Sequence, residues 1–218
     1  MPPDPSIRNG TPEDDGDVAR LVYGHPSPEA SGLAGGAERA TQLGLALFRA
    51  GIGRTPDDEI YLATLGGRPV GVLLGRGGES RSPISLRAGA ALFRSALRLY
   101  APWEIPGLLR RLHLRSRLDF PIPPGSFHVV ELHVDPRHRG RSIGTALLRH
   151  AERRAGELGY HRLDLTTATA NPARRLYERL GFEPLGERTV RGYERITGSR
   201  GRVFLGKALG GDGSRAPG

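Results

Sequence analysis

The chain of 218 residues contains no cysteine, a single lysine (Lys207) and a single tryptophan (Trp103). Without cysteine there is no disulfide framework, no thiolate nucleophile and no cysteine-ligated zinc. No apolar run approaches the roughly 18 residues that a bilayer-spanning helix needs. The opening Met1-Pro2-Pro3-Asp4-Pro5 lacks the basic start and apolar stretch of a signal peptide, so a cytoplasmic location is expected. No Gly-x-x-x-x-Gly-Lys-Ser/Thr phosphate loop is present, which speaks against a P-loop nucleotide enzyme.

What remains is a soluble globular composition, 37% hydrophobic and 25% charged. The length suits one domain, or one with an insertion, and is enough to bury a core unaided. The net charge of +9 is uneven. Residues 1–79 carry 7 basic and 11 acidic side chains, residues 80–120 carry 8 and 2, and residues 121–218 carry 17 and 10. The positive field of the middle and C-terminal parts favours an anionic ligand: nucleic acid, a membrane surface or a polyphosphate cofactor.

Residues 6–8 read as a short strand. Thr11-Pro12-Glu13-Asp14-Asp15 opens a helix that runs to about Tyr23, with Val18, Leu21 and Val22 on its buried face. Residues 24–36 are broken by Pro and Gly and read at least in part as loop. Residues 38–50 recover a helical pattern. Two strand-like runs, 59–65 and 68–74, flank Gly66-Gly67 and form a hairpin.

Residues 80–120 look like a helical insertion. Leu86, Ala90, Phe93, Leu97 and Tyr100 form one stripe, and Leu108, Leu109, Leu112 and Ser116 a second, each edged by Arg. The plain expectation is that both helices pack on the core and turn their Arg faces to solvent. A lid over an anionic ligand and a membrane or nucleic-acid surface are the alternatives. No aromatic platform interleaves the arginines, so nucleic acid is disfavoured. Residues 127–134 are a strand, 135–141 a basic loop and 142–158 a helix. A strand (162–167), a helix (172–180) and two further strands (183–191 and 202–209) complete the pattern. Residues 6–209 are read as one domain, and residues 1–5 and 210–218 as disordered ends.

Between the strand at 127–134 and the next helix lies a phosphate cradle. The free N–H groups and positive dipole end of the helix face Arg139-Gly140-Arg141-Ser142-Ile143-Gly144-Thr145. Gly140 and Gly144 let the backbone approach a ligand, and Arg137, Arg139 and Arg141 add charge. A pyrophosphate fits. Here the sequence resembles the GCN5-related N-acetyltransferase (GNAT) family, strongly over 127–209 and weakly over 6–76. The family signature Gln/Arg-x-x-Gly-x-Gly/Ala, which binds the pyrophosphate of acetyl-CoA, falls on Arg139 to Gly144, with Thr145 next in the turn. Ser142 stands where the family has Gly; a small Ser is expected to take helical angles and keep its N–H free.

The stretch from Asn171 to Phe182 is similar to the family's Asn-x-x-Ala-x-x-x-Tyr-x-x-x-Gly-Phe, except that Asn171 sits one residue nearer the Tyr. The resemblance gives Asn171 a cofactor contact and makes Tyr177 the acid that protonates the departing CoA sulfur. A phenol near pKa 10 can donate to a developing thiolate at neutral pH. It also implies that the backbone of Leu132 and Val134 bonds the pantetheine arm. Glu131 and His133, two apart on a strand, share one face, and either could be the general base, directly or through water.

The resemblance implies an α/β fold: a mixed, mostly antiparallel twisted sheet of six to seven strands with helices on both faces. It implies acetyl transfer from acetyl-CoA to a primary amine by direct attack in a ternary complex. The partner is then a small-molecule or peptide amine, with a homodimer left open. The rival reading is a catalytically inactive acyl-CoA-binding or partner-binding protein on the same fold. The insertion is expected beside the acceptor cleft, with Arg110, Arg111 and Arg115 favouring acceptors that carry negative charge.

Two decoys fail. Gly140 to Gly144 also reads as Gly-x-Ser-x-Gly, but seven residues separate Val134 from Ser142, too many for a tight elbow. The hydrolase order also needs a His after the acid, and none follows Asp164. His128, His133 and His138 recur every five residues, a spacing that alternates faces in a regular strand, so no metal site is expected.

Overall fold

The computed structural model describes residues 5–51, 58–78 and 86–210. The expected disordered ends, apart from Pro5 and Gly210, and the first residues of the insertion lie outside them. In chain order the elements are β1 (Ser6–Asn9), α1 (Asp15–Tyr23), α2 (Pro28–Ala34), α3 (Ala37–Arg49), β2 (Asp58–Leu65), β3 (Arg68–Gly77), α4 (Leu86–Leu99) and α5 (Ile105–Ser116). After them come β4 (Ser126–Val134), α6 (Ile143–Glu157), β5 (Arg162–Ala168), α7 (Arg174–Arg179), β6 (Glu183–Thr189), α8 (Tyr193–Thr197) and β7 (Gly201–Ala208).

The seven strands form one mixed sheet in the order β1-β2-β3-β4-β5-β7-β6. Every neighbouring pair is antiparallel except β4 and β5. The β2–β3 hairpin turns at Gly66 and Gly67, both at positive φ (56° and 79°), as the dipeptide requires. Alternation along the strands feeds two cores. On one face Tyr61, Leu73, Phe127, Leu163 and Leu205 pack against Ile143, Leu147 and Ala151 of α6 and Tyr177 of α7. On the other, Ile60, Leu62, Val72 and Leu74 pack against Val18, Leu21 and Val22 of α1 and Phe48 of α3. Helices therefore cover both faces. None among the described residues is long and apolar enough to cross a membrane.

Two irregularities in β4 position the site. First, β4 pairs with β5 only through residues 126–129 against 162–165, although both strands run on. Beyond that point they splay, and the β5-facing edge of residues 130–134 meets no strand. Second, β4 carries a β-bulge. Its register with β3 steps from Gly75↔Val129 to Leu74↔Glu131, leaving Val130 extra. One extra residue reverses the alternation beyond it. Phe127 and Val129, then Leu132 and Val134, thus face α6. His128, Glu131 and His133 share the opposite face, the two latter opposite Leu74 and Val72. The five-residue histidine spacing therefore does not alternate faces here. The two strand histidines are each held by a carboxylate: His128 Nδ1 by Asp164 at 2.5 Å and His133 Nε2 by Glu131 at 2.8 Å.

Part of the 24–36 segment, expected as loop, is the helix α2. The Ser27 hydroxyl accepts from Ala30 N at 3.1 Å, Pro28 fills the first turn, and the chain leaves through Gly35 at φ 76°. The helix expected at 172–180 is the shorter α7, and α8 was not foreseen. The insertion departs further. Tyr100 and Leu108 are buried, the Tyr100 hydroxyl donating to Ala34 O at 2.7 Å. Phe93 and Leu97 of the first stripe and Leu109 and Leu112 of the second face solvent. The reason is layering. Helix α4 packs on α3, and α5 on α2 and α8, so the insertion is an outer layer laid over helices instead of over the sheet.

The seat of α2 depends on Gly32. A Cβ there would lie 1.9 Å from the backbone oxygen of Ile196, so only glycine lets α2 approach α8 so closely. Gly32→Ala should force the two elements apart and cost about 1–3 kcal/mol. A thermal melt would read this as a Tm lower by several degrees.

Candidate active site

The cradle follows directly from β4. The Asp135 carboxylate accepts from Arg137 N at 2.9 Å, and that bond, with the nearby cations, holds its pKa low. The chain then crosses Arg139-Gly140-Arg141-Ser142 to the start of α6. Gly140 (φ 76°) and Ser142 (φ 57°, ψ 12°) are both left-handed, and Ser142 is the one non-glycine among the described residues at positive φ. The expected helical angles at Ser142 are therefore replaced by the conformation a glycine takes. Such a turn gathers successive N–H groups into an anion-binding concavity. The first bond of α6 runs from Ala146 N to Ser142 O, so the N–H groups of Ile143, Gly144 and Thr145 lie ahead of the helical ladder. Ile143 anchors this end of α6 in the core at 2% exposure, while Arg139 and Arg141 are exposed. Nothing lies within 4 Å of a Cβ built on Gly140, so the mouth of the loop is open. Gly144 packs where α7 and β4 come close, with Leu176 and Val134 as its neighbours.

At the splay of β4 from β5 a cleft of about 500 Å³ opens. Its near wall carries Glu131, Leu132 and His133 of β4, together with Asn171 and Tyr177. Val134 sits at the end of β4, beside the cradle. The Tyr177 ring is buried edge-on against Phe182, with centroids 6.0 Å apart. Burial, and then the charge of Glu131, pushes its phenol up to about 12. Tyr23 on α1 is pushed up to about 12 by the same two causes, so Glu131 sits within the electrostatic reach of two neutral phenols. Glu131 and His133 form one pair instead of competing for one role. His133 Nε2 lies 2.8 Å from Glu131 Oε2, and the imidazole tautomer that donates there keeps its Nδ1 lone pair free to accept.

The side chain of Asn171 is largely occupied. Its amide donates to Thr167 Oγ1 at 2.7 Å, and its oxygen accepts from Ala173 N at 3.0 Å, which shapes the turn into α7. The far wall brings in residues that sequence reasoning missed. Glu29 of α2 accepts from the Tyr193 hydroxyl at 2.5 Å, with Arg115 Nε and Arg202 Nε each 3.8 Å from the same oxygen. Arg202 also donates to Thr166 O at 2.8 Å. Of the three arginines expected at the cleft, Arg115 lines it. Arg111 donates to Leu33 O at 2.8 Å, and Arg110 is exposed. Glu29 could have been found through the helix signal Ser27-Pro28-Glu29, whereas nothing local marks Arg202.

The sequence profile of the acetyltransferase (GNAT) family matches residues 37–182, from α3 through the cradle to Tyr177 and Phe182. The chain belongs to the GNAT family. Solved structures of GNAT-like shape cover nearly the whole chain. The ribosomal-protein-S18-alanine N-acetyltransferase of Escherichia coli is 13% identical at a TM-score of 0.57, over 97% of this chain and 99% of that one. An acetyltransferase structure is 22% identical at 0.58, over 94% and 100%. An N-acetyltransferase from Staphylococcus aureus Mu50 is 16% identical at 0.54, over 95% and 100%. At these identities they share the fold. No curated protein matches.

Within that GNAT fold, Ser142 holds an angle that costs a Cβ-bearing residue about 1–2 kcal/mol. Ser142→Gly should relieve most of this, less the greater freedom glycine has when unfolded, for a net gain of about 0.5–1 kcal/mol. Thermal melts should show a Tm raised by roughly 1–4 °C.

Proposed function

We propose that this GNAT protein transfers an acetyl group from acetyl-CoA to a primary amine, with both substrates bound together in the cleft. One observation carries the reading: beyond the splay a single cleft is lined by Tyr177 and by the hydrogen-bonded Glu131 and His133, on the strand whose end runs straight into the phosphate cradle. The residues suit coenzyme A. The left-handed angles at Gly140 and Ser142 form a concave run of N–H groups with exposed Arg139 and Arg141 beside it, a match for a pyrophosphate. The unpaired edge of β4, with the backbone of Leu132 and Val134, can bond the amides of the pantetheine arm as an added strand would. Asn171, its side chain engaged in the turn, contributes by holding α7 and so Tyr177 in place.

Acetyl-CoA supplies an acetyl group activated as a thioester. The protein's share is to hold that carbonyl against the acceptor and to move two protons. Juxtaposing two reactants is the larger contribution. The Glu131–His133 pair takes the proton that the acceptor ammonium must lose before its nitrogen can attack. Tyr177 gives a proton to the departing sulfur, and burial keeps that proton on the phenol at physiological pH. The far wall, with Arg115 and Arg202 around Glu29, suits an acceptor that carries negative charge away from its amine. A small molecule or a peptide could meet that description in the cytoplasm.

Acetyl-CoA should raise the Tm of the protein. Arg139→Glu should remove that rise while leaving the ligand-free melt unchanged, because the side chain is exposed. An equal rise in the variant would move the cofactor elsewhere.

Tyr177→Phe should lower kcat by roughly 10²-fold, measured as release of free CoA with a panel of amines, and change acetyl-CoA affinity little. The sign of the pH effect follows from the raised pKa. A phenol at about 12 stays protonated as the pH rises, so Tyr177 imposes no falling limb on wild-type kcat until the pH nears that value. Equal turnover in the variant would remove the acid from Tyr177.

A further inference from the structure

Eight large apolar side chains among the described residues are exposed, and five of them, Phe93, Leu97, Trp103, Leu109 and Leu112, fall within the insertion. Trp103, the sole tryptophan of the chain, is 81% exposed. These side chains do not belong to a poorly packed core. Helices α4 and α5 are already seated, through Tyr100 against Ala34 and through Leu108 and Arg111 toward α2. The exposed side chains point away from those seats.

Their surroundings are cationic. Residues 86–117 hold seven arginines and a single carboxylate, Glu104, which is engaged by both terminal nitrogens of Arg39 at 2.8 and 3.2 Å. Arg94, Arg98, Arg110 and Arg117 are exposed and have no carboxylate partner among the described residues. On α4, Arg94 and Arg98 each follow an exposed apolar residue, Phe93 and Leu97, so a basic strip runs beside the apolar one. On α5, Arg110 follows Leu109 in the same way. Trp103 lies on the turn that joins the two helices.

We propose that the exposed apolar and cationic side chains of residues 93–117 rest on an anionic lipid surface. Trp, Phe and Leu side chains settle at the boundary of headgroups and acyl chains, while arginines meet lipid phosphates. Other occupants fit less well. A second copy joined about a twofold axis would set the same unpaired arginines against one another. A nucleic acid would match the charge but would leave the leucines and Phe93 without an apolar environment. The proposal is independent of acyl transfer, since none of the residues it uses lines the cleft.

The test uses the full chain and its own tryptophan. With phosphatidylcholine vesicles containing phosphatidylglycerol, Trp103 emission should shift to shorter wavelength and the protein should co-sediment. Pure phosphatidylcholine should bind far less, and added salt should weaken the anionic case. Replacing Arg94, Arg98, Arg110 and Arg117 together by Gln should lower partitioning about 10²–10³-fold, at roughly fivefold per arginine. Phe93→Ser and Leu97→Ser should each lower it about tenfold. All these side chains are exposed, so the lipid-free melts should match wild type and loss of fold would be visible separately. No shift and no sedimentation with anionic vesicles would overturn the proposal, as would equal binding to neutral vesicles. A shift that grows with protein concentration without lipid would assign the face to a second copy instead. Displacement of vesicles by an oligonucleotide would assign it to nucleic acid.

Discussion

The hydrogen-bonded contact between β4 and β5 stops after four residue pairs, and the rest of the site is arranged around that stop. Had the two strands paired to their ends, the cleft would be sealed and the backbone of residues 130–134 spent within the sheet. The bulge at Val130 acts with the splay. It turns Leu132 and Val134 toward the core under α6 and Glu131 and His133 toward the opposite face. The hydrophobic demand of the core and the chemical demand of the cleft are thereby met on alternate residues of one short strand. The end of β4 then leads directly into the turn before α6, so that turn needs no separate scaffold.

The electrostatics follow from this placement. Burial raises the cost of ionising both Tyr177 and Tyr23, and the charge of Glu131 raises it further, so two phenols stay neutral near one carboxylate. The opposite wall is organised differently. There Glu29 is enclosed by a phenol and two guanidinium groups drawn from α8, α5 and β7. Those elements are distant in sequence, and it is the outer layer of helices that brings them together.

Much of this was legible. The β2–β3 hairpin announces itself through Gly66-Gly67 between alternating runs. The cradle is marked by a basic, glycine-containing loop between a strand and a helix, and the two-residue spacing of Glu131 and His133 gives their shared face. Other features have no local sign. Val130 is an ordinary strand residue, and only its register with β3 makes it a bulge. The angle of Ser142 is hidden because serine seldom takes it and the surrounding turn imposes it. Helix α2 does carry capping signals, but Pro26, Pro28, Gly32, Gly35 and Gly36 crowd them, and breakers dominate a reading by composition. The stripes on α4 and α5 were visible as periodicity, which reports that a helix has two faces but not which layer of the molecule it joins.

In mechanical terms the sheet is two plates joined along one seam. The strands β1 to β4 form a continuous antiparallel plate on one side, and β5, β7 and β6 form another. The short β4–β5 ladder, the helices that bridge it, α6 foremost, and the stacking of Phe120 on Phe204 join them. A load that pulls the plates apart would meet its least resistance there, where the ladder is already half unzipped. A molecule lying in the splay and bonding to β4 would act as a splint across that seam. Occupancy of the cleft would then be felt as stiffness in the amides of β4 and β5, along the seam itself.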